Sequence, residues 1–485
     1  MMLYKLLKKI LNKNINKHWL PIRDRSISFL DLAERTLGLS VKFFKKRRCL
    51  LLEVDENNKK SMKIATFLSI ILPGSGQFYN KQPFKGTLFL ALFLLFVLEM
   101  IQFGYRALIG LVTLGITPGE DHSLFLLIEG SIQVLIIVIF LIFYFINIYD
   151  ARRVATLAEK GIPINNSVKQ ILVNVYQNGF PYLLTFPAYV AMIFTILFPV
   201  LVTIFTAFTN YDFYHIPPAN LVDWVGFDNF FNIFVLSSYR DTFISVLTWT
   251  MIWTIAATTL QIVIGMITAV VLNQKFIKGK RIFGVIFLLP WAVPAFITIM
   301  SFSNMFNDSI GAINTQVIPF LNHLPFIDIE AISWKTDPFW TKVAIILVQG
   351  WLGFPFIYVL VSGILQSIPE DLYEAAKIDG ANAFQRFKTI TLPSIFAIAT
   401  PIFVTQYTGN FNNFTMIYLF NEGGPGSVGA GAGSTDILIS WIYKLTTGTS
   451  PQYSIAATVT LVISIIVIGI SLIVFKRTKA FEMED

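Results

Sequence analysis

The stretch Glu374-Ala375-Ala376-Lys377-Ile378-Asp379-Gly380, continued through Ile390-Thr391-Leu392-Pro393, is a short polar island between two long apolar runs. Ser367 and Glu370 have capping-box spacing and Pro369 fits a first turn. Glu370 and Asp371 favour the positive end of a helix dipole. Gly380 fits the stop, because glycine takes the left-handed C-cap conformation at little cost. The apolar spacing of Phe384, Phe387 and Ile390 predicts a second short helix over 383–390, after which Pro393 opens the next apolar run. Two short helices joined at a glycine form a compact knob on a membrane surface. Ala375 and Ala376 leave room there for a partner to come close.

The apolar flanks are part of a pattern that covers most of the chain. Of 485 residues, 55% are hydrophobic and 14% charged, where soluble domains carry about a quarter charged residues. Mean hydropathy is +0.65. Apolar runs long enough to cross a bilayer fall at 86–104, 123–148, 182–210, 243–274, 282–306, 343–366, 394–420 and 453–475. The expected fold is therefore an all-α polytopic membrane protein with about eight transmembrane helices. The run 64–80 is shorter and is broken by Pro73-Gly74-Ser75-Gly76, which predicts a re-entrant or interfacial hairpin. A single cysteine, Cys49, excludes a disulfide framework and a CxxC metal site, and the four histidines lack metal-site spacing. The basic start lacks the apolar core and small-residue cleavage site of a signal peptide.

Positive charge sets the expected orientation. Arg152, Arg153, Lys160 and Lys169 share one connection, and Lys275, Lys278, Lys280 and Arg281 the next on that side. Lys377, Arg386 and Lys388 lie in the Glu-Ala-Ala loop, and Lys476, Arg477 and Lys479 come after the last span. The alternate connections carry only Arg106, Arg240, Lys335, Lys342 and Lys444. Eight spans place the basic connections and both termini in the cytoplasm of a cell-membrane protein. The net charge of +8 is then membrane retention rather than nucleic-acid binding. Segment 1–63 opens with Leu3, Leu6, Leu7, Ile10 and Leu11 alternating with Lys5, Lys8, Lys9 and Lys13 at helical spacing, and later contains Lys45-Lys46-Arg47-Arg48. That fits a helix on anionic lipid and equally a solvated tail. The chain divides into this basic segment, an accessory part over 64–148, a core over 182–475 with its loop at 369–393, and a basic tail over 476–485.

No GxxxxGK[ST] phosphate loop occurs, so energy from ATP has to come from another subunit, and no catalytic constellation is present. Glu99 and Glu129 are the intramembrane acids, without obvious partners, and leave open an ion-coupled secondary transporter. A membrane scaffold that carries nothing is the remaining alternative. Pro290, Pro294, Pro355 and Pro401 interrupt the later helices, as in spans that line a cavity. Gln406, Asn410, Asn412 and Asn413 cluster near Trp291, Trp351, Phe354, Phe356, Tyr407 and Phe411. Amides that bind hydroxyls beside rings that stack on sugar faces form a carbohydrate site. The same residues also serve as polar glue within an aromatic core, and residue type alone does not choose. The glycines from Gly423 to Gly433 predict a mobile loop.

The spacing Glu-Ala-Ala, three residues, Gly, nine residues, Ile-x-Leu-Pro resembles the coupling loop of ABC-importer permeases at every position. Gly409-Asn410-Phe411-Asn412-Asn413-Phe414 with Gly423-Gly424-Pro425 is similar to the MalF-type subunit of maltose/maltodextrin importers. So are Trp351-Leu352-Gly353-Phe354-Pro355 and Leu289-Pro290-Trp291-Ala292-Val293-Pro294. The likeness covers 182–475 in order, and the family's two extra N-terminal helices before a six-helix core suit eight spans. It implies a sugar site halfway across the membrane at Asn410, Asn413, Leu352 and Gly353. Trp291, Ala295, Phe356 and Gln406 stand where the maltose transporter of enteric bacteria has tyrosine, serine, tyrosine and serine. That subunit's large external domain is replaced by the short 211–242 loop. The stretch from Pro73 resembles Gram-positive relatives that import maltodextrins or galacto-oligosaccharides.

The resemblance implies an oligosaccharide permease subunit, for maltose or maltodextrin first and galacto-oligosaccharides as the alternative, without its own ATPase site or bound cofactor. Its substrate-binding residues would be Asn410, Asn413, Gly353, Leu352, Trp291, Phe356 and Gln406. Its ATPase-coupling residues would be Glu374, Ala375, Ala376, Asp379, Gly380, Leu392 and Pro393. Its partners would be a MalG-like second permease, an ABC ATPase dimer that uses the ATP, an extracellular sugar-binding lipoprotein, and membrane lipid.

Overall fold

The computed structural model describes residues 61–160, 176–177, 179–274 and 276–478. The basic segment before Ser61 lies outside them, as do Lys169, Lys275 and Lys479. Among the described residues, seven helices are long and apolar enough to cross a membrane, or eight when one bent pair is counted as a span. These are α3 (Pro83–Thr113), α4 (Ser123–Glu159), α5 (Phe180–Ala207), α7 (Ser237–Leu272), α10 (Pro338–Ser367), the run Ala383–Asn421 and α16 (Tyr453–Ile473). The bent pair is α8 (Lys280–Ala292) and α9 (Ala295–Met305), which meet at 88°. Each run predicted from hydropathy is thus helical. The bend comes from Val293-Pro294: Val293 is extended (φ −111, ψ 136), as a residue before proline prefers, and Pro294 becomes the N-cap of α9.

The described residues form two compact units. Within Met1–Leu98 and Ile139–Pro181 lie α1 (Met62–Ile71) and α2 (Ser75–Tyr79). The 10 residues of α1 make about 15 Å of helix, half the hydrocarbon thickness. Asn147, fully buried, ties the Pro-Gly-Ser-Gly turn to α4: its Oδ1 accepts from Gly74 N (3.0 Å) and its Nδ2 donates to Ser69 O (3.1 Å). Lys85 pairs with Asp150 at 2.8 Å, and Phe96 stacks on Phe140 at 3.8 Å.

The second unit comprises Glu99–Val138 and Tyr182–Asp485. Glu99, which has no obvious partner in the sequence, accepts from Gln133 Nε2 at 3.2 Å beside a π turn at Met100–Gly104. The loop after α5 carries α6 (Asp228–Val235), whose Asn229 donates to Ala207 O at the end of α5 and to Thr209 O just beyond it. The core centres on α7 against α10. Gly265 lets Ile357 and the Phe354 carbonyl approach, and Gly350 admits Leu260, where a Cβ would meet atoms at 2.6–2.7 Å.

The glycine-rich stretch corrects an expectation, because it is a folded loop. Thr435 and Asp436 are each 1% exposed, and Trp249 Nε1 donates to Thr435 O at 3.0 Å. Gly423, Gly426, Gly429 and Gly431 all have positive φ. They supply backbone shapes other residues rarely take rather than slack.

Candidate substrate site and coupling loop

Between α10 and the next long helix lies α11 (Glu370–Ile378). Ile368 precedes proline and is extended, so α10 ends at Ser367 and Pro369 caps α11. The predicted Ser367–Glu370 capping box therefore does not form, and Ser367 Oγ donates back to Ile364 O at 2.8 Å. Gly380, at φ +80, does end the helix. Its N–H bonds Lys377 O (3.0 Å) and that of Ala381 bonds Ala376 O (2.9 Å), the paired bonds of a Schellman stop. The capping box that forms belongs to α12 (Ala383–Arg386). Gln385 N donates to Asn382 Oδ1 at 2.9 Å and Asn382 N to Gln385 Oε1 at 2.8 Å.

The second helix does not stop at 390. A π turn over Phe387–Thr391 carries α12 into α13 (Leu392–Phe411), with Leu392 N–H reaching Phe387 O. Pro393 sits at the first turn of α13, half-buried Leu392 before it. Tyr373 Oη lies 2.9 Å from Thr391 Oγ1 and ties the two helices together. Glu374, Ala375, Asp379 and Gly380 are exposed and Ala376 half-buried. Leu372, Phe384 and Ile378 are also exposed, Ile378 by 87%, apolar surface that a partner protein would cover. A cavity of about 890 Å³ beside the pair is lined by Lys280, Glu370, Tyr373, Glu374, Lys377 and Arg386.

The amides come together deep in the α7–α10–α13 packing. The helix of Asn410 ends at Phe411, and Asn413 is the N-cap of α14 (Phe414–Asn421), accepting from Met416 N at 3.2 Å. The two asparagines therefore do not share a helical face by spacing, as their three-residue separation predicts. They meet across the break, Asn413 Nδ2 lying 3.4 Å from Asn410 Oδ1. Asn410, 4% exposed, donates to Thr258 Oγ1 (2.8 Å) and Gln261 Oε1 (3.4 Å), and its carbonyl accepts from Trp253 Nε1. Asn413 donates to Gln349 Oε1 (3.1 Å), Gln349 to Gln261 Oε1 (3.3 Å), and Gln261 to Gln406 Oε1 (3.2 Å).

The sequence predicts that Gly353 brings backbone close to a substrate. The group that approaches it is Gln261, whose Oε1 lies 1.9 Å from where a Cβ would be. Leu352 packs beside the buried cluster of Trp249, Trp253 and Val348. The Trp291 and Phe356 rings are 6.1 Å apart, with Trp291 half exposed. Thr258, Gln261 and Gln349 are not among the predicted residues. Their signal in the sequence is a polar group inside a long apolar run: the lone amide Gln349, and Thr258 with Thr259 and Gln261.

Long apolar helices, one sharply broken span, a buried amide cluster at a helix break and an exposed helix pair define a polytopic helical membrane protein with the parts of a permease. Residues 261–480 match the family described as binding-protein-dependent transport system inner membrane component, and 58–106 match a family of unknown function. The chain is 65% identical to the maltodextrin transport system permease protein MdxF of Bacillus subtilis, over 88% of this chain and 98% of that one. It is 47% identical to the galactooligosaccharides transport system permease protein GanP of the same organism, over 87% and 99%. A chain of a bacterial ABC transporter that imports alginate has the same fold, with a TM-score of 0.52 at 19% identity, over 65% of this chain and all of that one. The protein belongs to the MalF-type permeases of the binding-protein-dependent ABC importers.

Proposed function

We propose that this permease carries maltodextrin-like oligosaccharides into the cell, with Asn410 and Asn413 binding sugar hydroxyls. Gln406, Leu352 and Gly353 complete the site, and Trp291 and Phe356 offer stacking faces. The observation that carries this reading is the amide cluster. Side chains of three helices meet at the break between α13 and α14, where Asn410, Gln261 and Gln349 interlink. An amide both donates and accepts, as a hydroxyl does, so each bond within the cluster has the geometry a sugar hydroxyl can take over. Broken helices at membrane depth are tolerated where they line such a path. The name of the 65%-identical relative supports maltodextrin, and that of the 47%-identical one keeps galacto-oligosaccharides as the second reading.

On this reading the core is 182–475, with 64–148 accessory, 1–63 a basic segment at the membrane surface and 476–485 a cytoplasmic tail. Glu374, Ala375, Ala376, Asp379, Gly380, Leu392 and Pro393 form the coupling element. It docks on an ABC ATPase dimer through Leu372, Ile378 and Phe384. A MalG-like permease completes the pathway, and an extracellular sugar-binding lipoprotein delivers the sugar. Both termini and the 369–393 loop face the cytoplasm, as the basic connections require.

The test is uptake into vesicles holding the assembled importer. Labelled maltotriose should accumulate only with ATP, and a galacto-oligosaccharide should compete poorly. Accumulation driven by an ion gradient without ATP would overturn the reading.

A further inference from the structure

We infer that Gln261 is a positioning residue for the oligosaccharide site, holding Asn410 and Gln406 in the orientation in which they receive sugar; the inference rests on the reading of that site given above. Gln261 lies inside α7 and is 1% exposed. A buried amide is tolerated only when its hydrogen bonds are made. Here its Oε1 accepts from Gln349 and Asn410 and its Nε2 donates to Gln406. One side chain thus links the helix that carries Gly353 to the helix that carries the asparagine.

The alternative is that Gln261 merely pins α7 to α10. The surrounding packing argues against it. The two helices are already drawn together by Gly265 beneath Ile357 and by Gly350 beneath Leu260, on either side of Gln261. Contacts of that kind hold membrane helices without polar help. What Gln261 adds is direction, because Gly353 offers bare backbone and the carboxamide fills the place of its side chain. From there it reaches Gln406 and Asn410, while Thr258 Oγ1 accepts from the same Asn410 amide nitrogen.

The test uses the whole importer in vesicles with maltotriose, scoring sugar carried against ATP hydrolysed. Gln261→Met keeps the length of the side chain over Gly353 and removes its hydrogen bonds. Uptake should fall about tenfold further than hydrolysis does, the order of one buried amide left unpaired. Equal loss of uptake and hydrolysis, or loss of assembled complex in proportion to uptake, would make Gln261 a pin and overturn the inference. Asn410→Ala and Asn413→Ala separate the two levels. If they uncouple and Gln261→Met does not, the positioning role alone is lost. If neither asparagine variant changes transport, the sugar site itself is wrong.

Discussion

Asp436 occupies the place of a side chain on Gly423: a Cβ there would lie 1.9 Å from Asp436 Oδ1. The carboxylate is buried and accepts from Gly433 N, Ser440 Oγ and Lys444 Nζ. It therefore gathers both ends of the glycine-rich loop onto α15 (Leu438–Thr447). Gly423 is at φ +77, so Gly423→Ala adds about 1–2 kcal/mol of backbone strain to the displacement of the carboxylate. Lys444→Met leaves a buried charge short of its partner, at a cost of about 3 kcal/mol. Both should lower the thermal midpoint of the purified complex, while exposed Ser427→Ala should change stability by less than about 0.5 kcal/mol. Equal midpoints for all three variants would show that the loop is not latched.

The α11–α12 pair, proposed above as the coupling element, should respond to backbone changes in graded fashion. A Cβ on Gly380 meets nothing within 4 Å, so Gly380→Ala bears only the strain of its φ of +80, about 1–2 kcal/mol. Gly380→Pro cannot adopt that φ and loses the N–H that bonds Lys377 O. The proline variant should insert normally yet retain little ATPase on co-purification and no uptake. Glu374→Lys should do the same by reversing charge on the exposed face. If Gly380→Pro and Glu374→Lys both kept the ATPase and transported normally, the coupling role would be wrong.

Orientation is testable with single cysteines in a background lacking Cys49. Asn382, in the turn between α11 and α12, should be shielded from an impermeant thiol reagent added to intact cells. Ser427, at the exposed tip of the glycine-rich loop, should react. Labelling of Asn382 from outside would reverse the topology.

The spans were legible because hydropathy needs no partner: a run of 20 apolar residues is a helix wherever it packs. The stop of α11 was legible because Gly380 acts through its own backbone. Capping was less so, since Ser367–Glu370 and Asn382–Gln385 have the same spacing and only the extended Ile368-Pro369 decides between them. The amide cluster was half legible. Asn410 and Asn413 stand in a polar run, whereas Gln261 and Gln349 are lone amides whose facing depends on helix rotation. The break at Asn412 carries no proline or glycine at the break itself, and the side chain of Asn413 caps α14 on its far side. Glycine density reads as slack because composition does not distinguish freedom from a required positive φ.

Asn413 carries two roles, and substitutions separate them. Asn413 accepts from Met416 N as the cap of α14 and donates to Gln349 as an amide. Asn413→Ala removes both, so its cap loss of about 1 kcal/mol has to be set apart from any loss of sugar binding. Asn413→Ser keeps a good capping oxygen and removes the amide. If the amide binds sugar, the serine variant should assemble to normal abundance and still lose one to two powers of ten in maltotriose uptake, since an unpaired hydroxyl costs about 1–3 kcal/mol. Asn410→Ala should show a comparable loss, because its amide bonds are with the site, Thr258 and Gln261. If these amides were only interhelical glue, assembled complex should fall in step with uptake. Wild-type uptake of every oligosaccharide by both Asn413→Ser and Asn410→Ala, at matched abundance, would remove these two asparagines from the pathway.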